Sequence, residues 1–202
     1  MKRLFQFLFL ILLLGCYDDS KGFQNPNDYF NTGIHWSKQG TNHIVLLLGD
    51  SRLDRMLDNH EWNELPWTVY NCAMSGTSTI GIISQLQYVD LLHPDIVILS
   101  VGVNDYYLDD INIEGFAKRL AYIVNYLEQR YIKIIIVNFP IATCYYIKFA
   151  IIMEMYLYIQ LEYPQYFVPI KLNDEDRLAD GLHENERGYQ KVVRALIEAI
   201  GE

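Results

Sequence analysis

The sequence predicts an α/β fold with three layers, in which helices cover both faces of a five-stranded parallel sheet. Two observations carry this prediction. Apolar runs such as 44–48 and 95–102 show no alternation of polar and apolar residues, which is typical of strands buried on both faces of a parallel sheet. Segments with helical spacing lie between these runs. Strands that alternate with helices indicate βαβ units and therefore an α/β/α sandwich.

Five strands are predicted, each from a short apolar, β-branched or aromatic run. In chain order they are 44–48, 68–72, 95–102, 133–140 and 166–170. Gly49 and Asp50 end the first strand, and Pro140 ends the fourth because proline has no N–H to donate.

Helices are predicted between these strands and after the last one. They span 80–92, 113–130 and 184–200, and residues 52–57 can continue from the first strand as a helix. Pro94 closes the helix at 80–92 because proline cannot continue it. The helix at 113–130 has one apolar stripe, which indicates the face that packs on the sheet. Its members are Phe116, Leu120, Ile123, Val124 and Leu127.

Residues 1–15 predict a signal peptide. Two basic residues precede an apolar run that is too short to span a bilayer, and the run closes with Leu13-Leu14-Gly15-Cys16. This tetrapeptide resembles the bacterial lipobox, in which the cysteine is lipidated and becomes the mature N-terminus. An ordinary secretory signal and an uncleaved anchor are the alternatives. Residues 16–42 are polar and predict a tether between membrane and domain, and 43–202 the domain itself. We therefore expect a lipid-anchored protein of a bacterial envelope that faces the periplasm or exterior.

Composition argues against a nucleic-acid partner. The chain has 16 Lys and Arg against 25 Asp and Glu, a formal net charge of −9. Removal of residues 1–15 takes away Lys2 and Arg3, and the mature chain then carries a net charge of −11. Such a balance repels polyanions, and no basic stripe offsets it. The roughly 160 residues after the tether fit one domain with one core.

Polar signatures follow the first three predicted strands. They are Gly49-Asp50-Ser51, the stretch from Asn71 to Gly76, and Gly102-Val103-Asn104-Asp105; near the C-terminus Asp180 and His183 precede the last helix. The carboxyl ends of parallel strands meet at one edge of a sheet. We therefore expect a serine, candidate hydrogen-bond donors and an Asp/His pair to converge there.

This set, in this order, resembles the SGNH (GDSL-type) hydrolase family from Ile44 to the last helix. Gly-Asp-Ser, Gly-x-Asn-Asp and Asp-x-x-His match closely, and the glycine block around Ser75-Gly76 matches more weakly. Arg52 departs from the pattern, because the motif that names the family has leucine there.

The resemblance implies catalytic roles for three residues. Ser51 is the nucleophile, His183 is the base that takes its proton, and Asp180 orients the imidazole. Asp174 and Asp176 are rivals of Asp180, but the three-residue spacing to His183 favours Asp180. The implied activity is a serine esterase that works through an acyl-Ser51 intermediate, with no metal or cofactor. Transfer of the acyl group to a sugar hydroxyl, and a non-catalytic binding lipoprotein on the same fold, are the alternatives.

The resemblance also implies an oxyanion hole. Its donors are the backbone N–H groups of Ser51 and Gly76 and the side-chain amide of Asn104. A developing alkoxide needs such preorganised donors, and an Asn side chain offers a neutral N–H₂. Glycine at 76 is expected to let the backbone approach where a Cβ would block it. Alternatively, Asn104 only caps the following segment, and Asp105 is expected to be structural.

The strand order that the family implies, 2-1-3-4-5, bears on the remaining cysteines. Cys72 and Cys144 follow the second and fourth strands and are then about three strand spacings of 4.8 Å apart, beyond disulfide reach. Both are expected to be free.

The stretch 144–163 is apolar nearly all round a helix. It predicts a buried flanking helix, an acyl-binding wall beside Ser51 or a face that lies on lipid. The substrate class stays open between O-acetylated glycans and lipid esters.

Overall fold

Six strands form one sheet in the computed structural model, which describes residues 36–56, 66–108, 112–139 and 149–201. The strands are β1 Trp36–Lys38, β2 Ile44–Gly49, β3 Thr68–Asn71, β4 Ile96–Ser100, β5 Lys133–Asn138 and β6 Phe167–Pro169. Their order is β1-β3-β2-β4-β5-β6. All neighbouring pairs are parallel except β1 and β3, which are antiparallel. The five predicted strands therefore have the expected order.

Helices connect these strands, and the loops of the described ranges contain two short 3-10 helices. The helices are α1 Ser51–Asp54, α2 Thr79–Gln85, α3 Gln87–Leu92, α4 Ile113–Glu128, α5 Phe149–Glu162 and α6 Glu186–Ile200. The 3-10 helices are Asp105–Tyr107 and Asp174–Asp176. The helix predicted at 80–92 is divided at Leu86, which caps both α2 and α3.

The strand β1 corrects the predicted tether and the predicted count of five strands. Trp36 pairs with Asn71 and Lys38 with Val69, and the N–H groups of Thr41 and Asn42 donate to the Pro66 carbonyl. The domain thus begins before residue 43. A three-residue edge strand held by backbone hydrogen bonds leaves no periodicity for sequence reasoning to detect.

Two apolar layers confirm the three-layer sandwich. On one face of the sheet, α2, α4 and α5 pack on strand residues such as Leu46 and Leu99. On the other face, α1 and α6 pack on residues such as Leu47 and Ile98. The α4 stripe lies in the first layer and is buried as expected. Alternate residues of β2 enter opposite layers, which explains why its sequence shows no polar alternation.

The helix α5 buries one face and exposes the other. Its buried residues are Ile152, Met155, Tyr156 and Ile159, whereas Leu157 and Leu161 are 49% and 74% exposed. The prediction of a buried flanking helix therefore holds for one face only. Within the described residues, no helix has the length and apolar character needed to cross a bilayer.

Several predictions fall on residues outside the described ranges. They concern the signal peptide, the lipidation of Cys16, most of the tether and Cys144. Cys72 is buried and forms no disulfide within the described structure.

Candidate active site

The turn after β2 places Ser51 at the start of α1. Gly49 has a φ of +144°, and a Cβ there would lie 2.3 Å from the Ser100 carbonyl oxygen, so the turn requires glycine. The Asp50 carboxylate accepts from the Arg52 N–H at 3.0 Å and from Ser100 Oγ at 2.9 Å. Asp50 thus caps α1 and ties it to β4. Burial raises the pKa of Asp50 to about 6, although the charge of Arg52 opposes the shift.

The structure brings Ser51, His183 and Asp180 into one hydrogen-bonded chain. Ser51 Oγ lies 2.9 Å from His183 Nε2, and His183 Nδ1 lies 2.7 Å from Asp180 Oδ2. The second oxygen, Asp180 Oδ1, accepts from the N–H groups of Leu182 and His183 at 2.8 and 2.9 Å. With the proton of His183 on Nδ1, Nε2 is free to accept the proton of Ser51 Oγ. The arrangement is that of a serine nucleophile with its base and orienting carboxylate.

The rivals Asp174 and Asp176 have other contacts. Asp174 is exposed and lies 3.9 Å from Arg177. Asp176 is buried and accepts from Arg187 Nε at 2.7 Å and from Lys191 Nζ at 2.6 Å. Asp176 therefore fastens the start of α6, which follows the loop that carries His183, and Asp180 is the aspartate that bonds the imidazole.

Electrostatics keep the imidazole neutral and the carboxylate charged at neutral pH. Burial lowers the pKa of His183, the hydrogen bond that its ring donates to Asp180 opposes that shift, and the charges of Arg55 and Arg52 add to the lowering. Burial alone would raise the pKa of Asp180, but the hydrogen bonds from the His183 ring and from two backbone N–H groups lower it to about 2. A neutral imidazole is the form that can act as a base.

The three predicted oxyanion donors lie on adjoining turns. The Met74 N–H donates to the Gly49 carbonyl at 2.8 Å, which joins the turn after β3 to the turn that carries Ser51. The Asn104 side-chain amide donates to the Thr77 carbonyl at 3.1 Å, and one of its two hydrogens remains available. In the described part of the chain, the N–H groups of Ser51 and Gly76 donate to no protein acceptor.

Two details of this region differ from the sequence-based reasoning. Asn104 makes no side-chain cap to the 3-10 helix that follows it, so the structure does not show the capping alternative. At Gly76, a Cβ would meet no protein atom within 4 Å, so packing against the described part of the chain does not require glycine there. The reason is its φ of +80°, a conformation that other residues seldom adopt.

Asp105 has the structural environment expected of it. Its fully buried carboxylate accepts from the N–H of Thr79 at 3.1 Å and forms a short hydrogen bond with the Thr79 hydroxyl. Arg119 Nη2 lies 3.4 Å away. Asp105 therefore joins the loop of Asn104 to the start of α2.

Contacts between α1 and the turn after β3 also shape the site, and they were not predicted from the sequence. Asn71 donates to the Leu53 carbonyl at 2.8 Å and accepts from the Ala73 N–H at 3.0 Å. Asp54 accepts from the N–H and hydroxyl of Ser75 at 2.9 and 2.5 Å. Leu53 and Asp54 lie about twenty residues from Asn71 and Ser75 in the chain, so no local pattern reveals these contacts.

A comparison with protein families matches the part of the chain that contains the site. Residues 48–191 match the model of the GDSL-like lipase/acylhydrolase family, which spans all the candidate site residues from Ser51 to His183. The chain matches no curated protein sequence.

Solved structures show the same fold. A lipase/acylhydrolase from Enterococcus faecalis is 20% identical with a TM-score of 0.63, and the match covers 79% of this chain and 95% of that one. A GDSL-like lipase from Bacteroides thetaiotaomicron is 17% identical with a TM-score of 0.63, covering 87% and 97%. A catalytic mutant of an acetylxylan esterase from Geobacillus stearothermophilus is 17% identical with a TM-score of 0.62, covering 81% and 96%.

Proposed function

The chain belongs to the GDSL-like lipase/acylhydrolase family, and on that premise we propose that it hydrolyses carboxylic esters through an acyl-enzyme intermediate at Ser51. One observation carries the proposal, namely the chain of hydrogen bonds from Ser51 Oγ through the His183 ring to Asp180. An alcohol needs an adjacent base to become a nucleophile at neutral pH. That base is in place and is held in the required tautomer.

In the first half of the reaction, Ser51 Oγ attacks the ester carbonyl carbon while its proton passes to His183 Nε2. The carbonyl oxygen becomes an oxyanion. The tetrahedral intermediate then collapses, the bond to the alkoxy oxygen breaks, and His183 returns the proton to the departing alcohol. The product of this half is an ester between the acyl group and Ser51.

In the second half, water takes the place of the alcohol. His183 Nε2 accepts a proton from water, whose oxygen attacks the acyl carbon, and the proton then passes to Ser51 Oγ as the acid departs. Asp180 stays ionised throughout and stabilises the imidazolium that forms in each half. The low pKa of its carboxyl group suits this role.

The oxyanion is stabilised by the Ser51 N–H, the Gly76 N–H and the side-chain amide of Asn104. These groups belong to three separate turns that other contacts join, among them the bond from Asn104 to Thr77 and the bond from Met74 to Gly49. Donors fixed before reaction need no reorganisation when charge develops, which is why they favour the transition state.

We propose that the substrate is the ester of a small or apolar acid. Met74 and Leu178 are 48% and 44% exposed. Met74 bonds to the Ser51 turn through its N–H, and Leu178 bonds to the His183 carbonyl at 2.8 Å. Two exposed apolar residues thus belong to segments whose backbone is bonded to the turns of Ser51 and His183, which supports a substrate with an acyl or alkyl group. Acetylated glycans and lipid esters both offer such a group.

A series of nitrophenyl esters of increasing acyl length tests this function. The wild type is expected to hydrolyse at least one of them, and Ser51→Ala is expected to lower kcat on the order of 10⁶-fold. A preference for acetyl esters would favour a glycan deacetylase, and a preference for long chains a lipid esterase. Transfer to a sugar would appear as an acylated sugar when sugar is added. Hydrolysis that survives in Ser51→Ala would refute the proposal.

We also propose that the enzyme is anchored to a bacterial membrane through lipid on Cys16, outside the cytoplasm. The support is the sequence Leu13-Leu14-Gly15-Cys16 after a short apolar run. Cys16 and Trp36, the first residue of β1, are 20 positions apart in the chain, a span of at most roughly 70 Å. That reach lets the active site meet either membrane lipids or envelope glycans.

The anchor is tested by detergent phase partition of the full-length protein expressed in bacteria. Wild type is expected in the detergent phase, and Cys16→Ser is expected to accumulate as unprocessed precursor because lipidation needs the thiol. Cys72→Ser is the matched control and should partition as wild type does. A mature wild type in the aqueous phase would contradict the anchor.

A further inference from the structure

A buried arginine follows the nucleophile directly. Arg52 is 1% exposed, although arginine is rarely buried unless its charge has partners. Its Nη2 donates to the Leu182 carbonyl at 3.3 Å, and its Cζ lies 5.1 Å from the centre of the Phe139 ring. The guanidinium therefore lies between β5 and the loop of His183, while its backbone belongs to α1.

Two buried carboxyl groups lie within the electrostatic reach of Arg52. Burial raises the pKa of Glu184, which is 2% exposed, and the charge of Arg52 opposes the shift. Burial likewise raises the pKa of Asp50, and the charge of Arg52 opposes that shift too. Within the described structure, neither carboxyl oxygen of Glu184 has a hydrogen-bond partner.

Such a cluster is expensive to bury, and packing alone does not explain it. Replacement of buried charges by apolar residues of similar volume is often neutral or stabilising. The leucine of the family motif would fill this position without desolvating a charge. A buried arginine here therefore calls for a role that leucine does not fulfil.

The contact at Leu182 indicates what that role is. The N–H of Leu182 donates to Asp180 at 2.8 Å, while its carbonyl accepts from Arg52. Both polar groups of the residue before His183 are thus held, one by Asp180 and the other by a side chain of the helix that carries Ser51. Two contacts therefore join α1 to the loop of His183. One is this bond from Arg52 to Leu182, which we call the clamp, and the other is the 2.9 Å contact between Ser51 Oγ and His183 Nε2.

We propose that Arg52 is a positioning residue, which holds the Leu182 carbonyl from the nucleophile helix and thereby sets His183 against Ser51. The proposal rests on the esterase function proposed above. It assigns a reason to the residue by which this chain departs from the Gly-Asp-Ser-Leu motif.

The charge of Arg52 provides a readout that simple packing would not change. It lowers the pKa of His183 in addition to the effects of burial and Arg55, while Asp180 opposes them. Loss of the charge should raise that pKa. Since His183 must be neutral to act as base, the acid limb of kcat/KM should then move to higher pH.

Three variants separate position, charge and stability. Arg52→Leu removes the clamp and the main charge that opposes the burial of Glu184, so its melting temperature should fall. Arg52→Leu combined with Glu184→Met also removes the buried carboxyl of Glu184, and methionine adapts to irregular space. Stability should therefore recover in part, because Asp50 still lacks the charge of Arg52. Arg52→Lys keeps the charge but cannot reproduce the planar guanidinium contacts.

The decisive measurement is kcat and the pH profile of kcat/KM for nitrophenyl ester hydrolysis, together with the melting temperature. The double variant should melt above Arg52→Leu yet have kcat about 10²-fold below wild type, because small misplacement of a catalytic group has that effect. The acid limb of its kcat/KM should lie at higher pH than that of wild type. Arg52→Lys should have a reduced kcat, but the acid limb of its kcat/KM should lie at the wild-type pH because the charge is kept.

Wild-type kcat in the double variant or in Arg52→Lys would overturn the positioning role and leave the esterase function intact. A wild type without Ser51-dependent hydrolysis would overturn the esterase function itself, and the role of Arg52 with it.

Discussion

The side-chain amide of Asn104 donates a 3.1 Å hydrogen bond to the carbonyl of Thr77, the residue after Gly76. Two turns that supply proposed oxyanion donors are therefore joined to each other directly. One amide hydrogen is used in this bond, which fixes the plane of the N–H₂ group and hence the direction of the other hydrogen. The bond therefore ties Asn104, one proposed oxyanion donor, to the turn that carries Gly76, another proposed donor.

Replacement of Asn104 should affect the transition state more than substrate binding. Asn104→Ala should lower kcat about 10²–10³-fold with little change in KM, because the bond to the oxyanion forms fully only in the transition state. Asn104→Asp should be at least as harmful, since a carboxylate has no hydrogen to donate and repels the developing charge. Steady-state kinetics of both variants check this. If Asn104→Asp keeps full activity, Asn104 is no oxyanion donor.

The dependence of activity on pH should follow the ionisation of His183. Burial lowers the pKa of His183, so the base stays neutral to a more acidic pH than an ordinary histidine of about 6.5. The acid limb of kcat/KM should therefore have its midpoint below that value, with activity lost as the pH falls through it. A pH profile from 4.5 to about 9 measures it. A midpoint above the ordinary value would contradict the burial of a neutral base.

Replacement of Asp180 should separate orientation from charge. Asp180→Asn should lower kcat by about 10⁴-fold, because an amide can hold the wrong tautomer of the imidazole. Asp180 also raises the pKa of His183, so the acid limb should move to lower pH in this variant. Asp174→Asn, at an exposed rival position, is the matched control and should leave both quantities unchanged. If both variants lost kcat equally, Asp180 would not be the carboxylate that orients His183.

Asp105 should contribute to stability rather than to the chemical step. Asp105→Ala removes the acceptor of the Thr79 N–H and hydroxyl and the partner of Arg119. Loss of one member of such a buried charged pair costs about 3–5 kcal/mol of the free energy of unfolding. Glu114→Ala, in an exposed pair with Lys118, should leave the free energy of unfolding nearly unchanged. Urea denaturation compares the two, and a wild-type stability of Asp105→Ala would refute this role.

Much of the fold and site could be predicted because their signals are local. The buried strands appear as unbroken apolar runs, and Ser51, Asn104 and the Asp180–His183 pair lie in short motifs at strand ends or before the last helix. The resemblance to a family then supplied the strand order. The strands and the short motifs could be recognised because each depends on residues adjacent in the chain.

The remainder could not be predicted because it depends on contacts between distant residues. The β1 strand is only three residues long, and its pairing with β3 comes from backbone groups. Arg52 and Glu184 are charged, so composition would place them at the surface, yet folding buries both. Glycine at position 76 is explained by its positive φ, and not by protein atoms packed against it.

Reaction with a fluorophosphonate tests the central claim most directly. The serine oxygen attacks phosphorus and fluoride departs, and this phosphonylation occurs readily only where a neighbouring base activates the serine. Intact mass and peptide mapping should show one adduct per chain, located on Ser51. The exposed Ser84 supplies a matched control, since Ser84→Ala should be labelled as wild type is and Ser51→Ala should not. Complete labelling at Ser51 is the result that this account predicts. A folded wild type that remains unlabelled, or Ser51→Ala that is labelled to the same extent, would contradict it.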